Sequence, residues 1–165
     1  MDITLGCADP HSEPGEFPPK APFVLSVTCK RTTFTHLRAM RDATAGSVCE
    51  VFKSILSSMG IRDVVQEVWT DNGKQFVSAE FAAMLRSVLP GVRHCTIPAY
   101  APYAGGWYEI PHRALNQVLR ALVAQLPLEE WQDGCDLAQV KLNCSSVDGS
   151  PSPHLLYRAG PGRAG

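Results

Sequence analysis

A chain of 165 residues, 45% hydrophobic and 19% charged, has enough apolar mass for one domain that buries roughly 70% of its unfolded-chain surface. Thirteen glycines and thirteen prolines without a period, together with the modest charge content, exclude a collagen, a coiled coil and a charged disordered tail. The net charge of -1 gives no general attraction to nucleic acid, so any such contact has to come from local basic clusters.

In chain order, a very short leading strand is followed by residues 7–22, which hold five prolines and Gly15. Proline removes ladder donors and fixes φ, so this stretch is predicted as loop. Phe23 to Cys29 and Thr32 to Leu37 are rich in β-branched and aromatic residues and read as a hairpin joined by Lys30-Arg31. After Arg41-Asp42 the period changes to that of a helix. Val48, Val51, Phe52, Ile55, Leu56 and Met59 line one face, Thr44 is placed to cap the start, and Gly60 follows the last turn. Val64 to Thr70 reads as a strand, Ser78 to Leu89 as a helix with Phe81, Met84, Leu85 and Val88 on one face, and Val92 to Ile97 as another strand.

A loop from Pro98 to Gly106 leads to a third helix marked by Leu115, Val118, Leu119, Leu122, Val123 and Leu126. Leu128 to Cys144 reads as a fourth, with Trp131 on its buried side, and the tail over 145–165 has room for a short helix at 153–157. The alternation of strands and helices predicts a single α/β domain over 1–165, a mixed sheet of about five strands with helices on both faces.

No apolar run is long enough to span a bilayer, and residues 1–20 are rich in acids and prolines rather than in a signal-peptide core. The six cysteines are scattered without a C-x-x-C pair or zinc-like spacing, which points to a reducing, intracellular setting, nucleus or cytoplasm. Cys49 falls on the apolar face of its helix and is expected to pack. His94, beside Cys95 on a strand, has no further ligands at metal spacing and reads as structural.

Trp69-Thr70-Asp71-Asn72-Gly73-Lys74-Gln75-Phe76 is the sharpest local feature. Asp-Asn-Gly most often closes a hairpin, but a hairpin needs an alternating strand next, and a helical pattern begins at Ser78 instead. The turn therefore joins a strand's carboxyl end to a helix, where ligands of α/β sheets bind. The second feature, Pro102 to Glu109 with Gly105-Gly106, delivers a carboxylate to the start of the third helix, a position that ordinary dipole compensation also explains.

Taken in order, Thr-Asp-Asn-Gly-x-x-Phe, Gly-Val-x-His at Gly91 to His94, Ile97-Pro98-x-Tyr100-x-Pro102 and Gly-Gly-x-x-Glu ending at Glu109 resemble the catalytic core of retroviral and retrotransposon integrases. The 37 residues between Asp71 and Glu109 are close to that family's mid-thirties spacing. Trp131, Asn143 and the Ser150-Pro151-Ser152-Pro153-His154-Leu155-Leu156 tail extend the likeness over almost the whole chain.

The resemblance implies a ribonuclease-H-like fold in which two Asp and one Glu hold two Mg²⁺ (or Mn²⁺) ions. Hard cations prefer carboxylate oxygens, and a pair about 4 Å apart can stabilise both the entering and the leaving oxygen of a phosphoryl displacement. By position the catalytic and metal-holding set is Asp2, Asp71 and Glu109. Asp9, inside the proline-rich stretch, competes with Asp2 for the place of the first acid.

Lys74, Arg113, Asn116 and Arg120, with Gln117 beside them, would track DNA phosphates, although a solvated helix face produces the same pattern. Ile110-Pro111 after the Glu departs from the family, because a proline confines Glu109 to the helix start or just outside it. Trp69 and Trp131 read as core packing, and Trp107 as either core or site.

Two functions from different classes fit these residues. One is an integrase-like polynucleotidyl transferase acting on DNA by two-metal phosphoryl transfer, 3′-end processing and strand transfer, with a homodimer through the core. The other is an inactive or domesticated remnant that binds nucleic acid or dimerises. A nuclease that cleaves without joining would share the metals of the first.

Overall fold

Strand alternation within Phe23–Cys29 sorts that strand's side chains between two apolar layers. Leu25 and Val27 enter one of them, and Val24 enters the other with Leu37, Trp131, Cys135 and Ala138. The computed structural model describes residues 2–8, 23–40, 42–97, 117, 121, 131–145 and 151–153. Its strands are β1 (Asp2–Ala8), β2 (Phe23–Cys29), β3 (Thr35–Met40), β4 (Glu67–Thr70) and β5 (Arg93–Thr96), in the spatial order β3-β2-β1-β4-β5. β1, β2 and β3 pair antiparallel, whereas β1 with β4 and β4 with β5 pair parallel, which makes the sheet mixed. Helices α1 (Ala45–Met59) and α2 (Ala79–Val88) cover one face and α3 (Trp131–Cys144) covers the other at β2 and β3.

The larger layer joins Leu5, Leu25, Val27 and Val68 from the sheet to Val48, Cys49, Phe52, Ile55 and Leu56 of α1 and Phe81, Met84 and Leu85 of α2. Cys49 packs there, and burial pushes its thiol up from the ordinary range. The helix ends match the caps expected of them. Thr44 Oγ1 accepts from the Ser47 N–H at 3.3 Å, and the Gly60 N–H donates to the Leu56 carbonyl at 3.2 Å from a left-handed φ of 63°. A side chain at Gly60 would be strained there, which is why glycine ends the helix.

Several boundaries differ from the expectation, among them the end of β3, which runs to Met40 rather than Leu37. β1 runs to Ala8, so Cys7 and Ala8 are strand rather than loop, and the strand is seven residues long. Pairing on both sides, to β2 over Ile3 to Ala8 and to β4 over Asp2 to Leu5, holds it where composition alone suggested little. β3 starts at Thr35 instead of Thr32, because Thr33 adopts φ 58° and its N–H bonds back to the Cys29 carbonyl at 2.8 Å, which makes 30–34 a turn. Arg62–Val64 is a 3₁₀ turn with Val64 exposed, and strand begins only at Glu67.

β3 lies at the sheet edge, and α3 seals it with side-chain amides. Gln132 Oε1 accepts from the Ala39 N–H at 3.2 Å, Gln139 Oε1 from Leu37 at 2.9 Å and Asn143 Oδ1 from Thr35 at 2.8 Å. Asn143 Nδ2 also donates to the Thr35 carbonyl at 2.8 Å, so one amide serves both backbone groups of that residue as a paired strand would. Alternate outward donors of an edge strand are thereby satisfied, which blunts the edge against pairing with another chain.

His36 on β3 packs edge-on to Phe34, and neither ring nitrogen has a hydrogen-bond partner among the described residues. Burial, and secondarily the Arg38 guanidinium, lower its pKa from 6.5 to about 4. The depressed value means that the unfolded chain takes up the proton first, so stability is fully present above pH 6.5 and declines as pH falls from there toward about 4. Thermal melts between pH 7.5 and 4 are expected to show Tm falling across that window, with a shallower fall in His36→Phe. Equal slopes for the two proteins would assign the acid sensitivity elsewhere.

Candidate functional site

The parallel strands β1, β4 and β5 end on one side of the sheet, and the candidate site is built there from Thr70 and the turn that leaves β4. Thr70, fully buried, ends the strand with its carbonyl accepting from the Ile97 N–H at 2.8 Å and its hydroxyl 2.8 Å from His94 Nε2. His94 also stacks edge-on to Phe81 with centroids 5.4 Å apart, and burial lowers its pKa. The structural reading of this histidine therefore holds.

Asp71 comes next and is half-buried. Its Oδ1 accepts from the Gly73 N–H at 2.8 Å, an Asx turn that orients the carboxylate while leaving acceptor capacity on the group. The Gly73 carbonyl accepts from Phe76 at 2.9 Å and Val77 at 3.2 Å, closing the turn. Phe76, fully buried and 5.5 Å from the Phe81 ring, pegs it into the core, and Ser78 caps α2 through the Phe81 N–H at 3.1 Å. A Cβ on Gly73 would stand 2.6 Å from Gln75 Nε2 and 2.8 Å from Asp71 Oδ1, so any side chain there displaces the carboxylate or its neighbour. Asn72 Nδ2 reaches the Ile97 carbonyl at 3.3 Å and ties this turn to the exit of β5. The turn joins strand to helix, as the sequence indicated.

Lys74 is exposed on the same turn. Gln117 and Ala121 are helical and exposed, within the span expected for the third helix. Glu109, Arg113, Asn116 and Arg120, together with Asp9 and Trp107, lie outside the described residues.

Asp2 lies at a level of the sheet different from that of Asp71. The β1–β4 ladder pairs Asp2 with Glu67 and Leu5 with Thr70. Asp71 is four residues beyond Glu67, which is about 13 Å along a strand at roughly 3.3 Å per residue. Continued one residue past its last pair, Leu5 with Thr70, the same register would set Gly6 level with Asp71. Alternation agrees on the face: Leu5, Val68 and Thr70 are buried, with Leu5 and Val68 in the α1–α2 core, so Gly6 and Asp71 both fall on the opposite side. Residue types alone carried no signal for Gly6, because only pairing register singles it out.

Trp69 shares that opposite face and, among the described residues, is in neither of the two apolar layers. It is half-buried, its Nε1 donates to Glu67 Oε2 at 2.9 Å, the Lys30 ammonium sits 4.4 Å from its ring centroid, and Arg93 pairs with the same Glu67. The residue before Asp71 on that face is thus occupied by a cation–π and carboxylate cluster. Trp131, in contrast, is in the core beneath α3. Among the described residues no three His, Cys, Asp or Glu side chains gather closely enough to hold a metal ion, and no helix among them is long and apolar enough to cross a membrane.

No family model and no curated protein matches the sequence. Among solved structures, the catalytic core domain of BIV integrase superimposes with a TM-score of 0.71 at 18% identity, over 95% of this chain and 93% of that one. The simian T-cell lymphotropic virus intasome, solved in complex with PP2A regulatory subunit B56 gamma, gives 0.73 at 15% identity, over 95% of this chain and 54% of the intasome chain. The chain has the mixed α/β fold of a retroviral integrase catalytic core.

Proposed function

We propose that this domain, with its integrase-core fold, engages DNA and pairs with a second copy of itself, and that it does so without two-metal strand transfer. The observation that carries the negative half is the β1–β4 register, which sets Asp2 level with Glu67 and about 13 Å of strand away from the level of Asp71. Two aspartates that share one Mg²⁺ at about 2.1 Å per bond span at most roughly 11 Å between Cα atoms. Asp2 and Asp71 exceed that reach, so the pair of ions that the fold implies does not fit these two residues. The DNA half is supported by the ordered motifs, by the likeness to an integrase core and to an intasome chain, and by the exposed Lys74 on the Asp71 turn.

With a net charge of -1 the affinity is expected to be low and steeply salt-dependent. Lys74, Arg113, Asn116 and Arg120 are the proposed phosphate contacts. Anisotropy titrations of a labelled duplex in EDTA are expected to show salt-sensitive binding by the wild type, with Lys74→Glu reducing the log–log salt slope by about 1. Absence of DNA binding at low salt by a folded domain would sink this half.

The active reading, polynucleotidyl transfer by Asp2, Asp71 and Glu109 around two Mg²⁺ or Mn²⁺ ions, is favoured by one structural feature, the half-buried Asp71 held by its turn at the end of β4. A strand-transfer assay on labelled DNA with Mn²⁺ separates the two readings. Silence in both wild type and Asp71→Asn is the expected result, and joined product that disappears in Asp71→Asn would install the active reading instead.

A further inference from the structure

We infer that Gly6, and not Asp2, occupies the position from which a carboxylate of β1 would meet Asp71, so that among the described residues the divalent-cation site lacks the carboxylate of β1 and a single substitution installs it. The inference rests on the integrase-core reading above, since that fold is what implies a metal pair at this edge. Its physical content is the ladder. Leu5 pairs with Thr70 across parallel strands, and Gly6 and Asp71 come one residue after each of them. Adjacent strands are about 4.8 Å apart, so side chains at these two positions stand within reach of one ion. Asp2 is paired with Glu67 instead, and Glu67 is already committed to Trp69 and Arg93.

Glycine is not demanded by the backbone at this point. Gly6 lies inside β1, paired with Ser26 of β2 in an unbroken run of six antiparallel pairs. A glycine inside a strand weakens it, and no bulge interrupts the pairing here to explain one. An L-residue with a side chain is therefore compatible with the strand conformation. On the opposite side of the site, Asp71 is oriented by the Gly73 N–H through Oδ1 and keeps capacity to accept a cation. Among the described residues, the missing element is a second hard oxygen donor at that level.

Calorimetric titration with MnCl₂ alone tests this on wild type, Asp2→Asn, Gly6→Asp, Gly6→Asn and Gly6→Asp combined with Asp71→Asn. Wild type is expected to bind Mn²⁺ weakly, and Asp2→Asn is expected to leave that binding unchanged. Gly6→Asp is expected to tighten binding at least tenfold, whereas Gly6→Asn, equal in size but uncharged, gives no gain, and adding Asp71→Asn abolishes the gain. Tight Mn²⁺ binding by the wild type that Asp2→Asn removes would overturn the inference without any change at Gly6. So would a folded Gly6→Asp that binds no better than wild type. These readouts are independent of the DNA titrations: loss of DNA binding would sink the proposed function and leave the metal assignment standing, and the reverse result would do the opposite.

Discussion

Phe81→Ala is expected to destabilise the domain by about 3 to 5 kcal/mol, the cost of emptying a fully enclosed aromatic site. The ring is completely buried and stands 5.5 Å from Phe76, 6.3 Å from Phe52 and 5.4 Å from His94, so it joins α1, α2, β5 and the turn after Asp71 in one contact set. A cavity there removes packing from four elements at once and leaves Phe76 without the partner that pegs the turn. At this chain length the loss corresponds to a Tm drop of roughly 10 °C. Urea unfolding checks the size, and a loss below about 1 kcal/mol would mean that the surroundings collapse into the gap. Proton shifts of Gly73 and Lys74 are expected to move with it, because the turn is held from the core side.

Asn143→Leu is expected to be nearly as damaging, although it keeps the branched shape of the side chain and adds apolar surface. The amide gives Thr35 both a donor and an acceptor at 2.8 Å, in a site where Asn143 and Thr35 are both buried. Leucine leaves a buried N–H and a buried carbonyl unpaired at about 1 to 3 kcal/mol each, for a total of about 2 to 6 kcal/mol. Amide exchange at Thr35 should accelerate together with that at Leu37, while β1 and β4 keep their protection. Gln139→Ala, which removes one acceptor from a half-exposed position, should cost less. A stability for Asn143→Leu equal to wild type would show that the sealing of the β3 edge by α3 rests on Trp131, Cys135 and Ala138 alone.

Helix ends and turns were legible in the residues because their causes are local. Thr44 and Ser78 act as caps through an atom three residues away, Gly60 is needed for a left-handed φ, and the Asp71-Asn72-Gly73 turn is held by a bond between residues 71 and 73. Periodicity likewise placed Phe52, Ile55 and Leu56, and then Phe81 and Leu85, on the faces they bury. The β1 boundary escaped because Cys7 and Ala8 carry little strand propensity, and pairing to Leu25 and Val24 decides their conformation. That Trp69 faces away from the α1–α2 layer follows only when alternation is counted from Val68 and Thr70.

By itself, the order of residues determined where α1 and α2 lie, which of their faces are apolar, and that an aspartate follows a strand before a helix. All of these depend on neighbours a few positions away. Only the tertiary structure decided which residues stand side by side across the sheet, and with it that Asp2 is level with Glu67 while Leu5 is level with Thr70, the residue before Asp71. Register is a relation between two strands more than sixty residues apart, fixed by the burial of Leu5 and Val68 in a common core, and a shift of one position would turn every side chain to the other face.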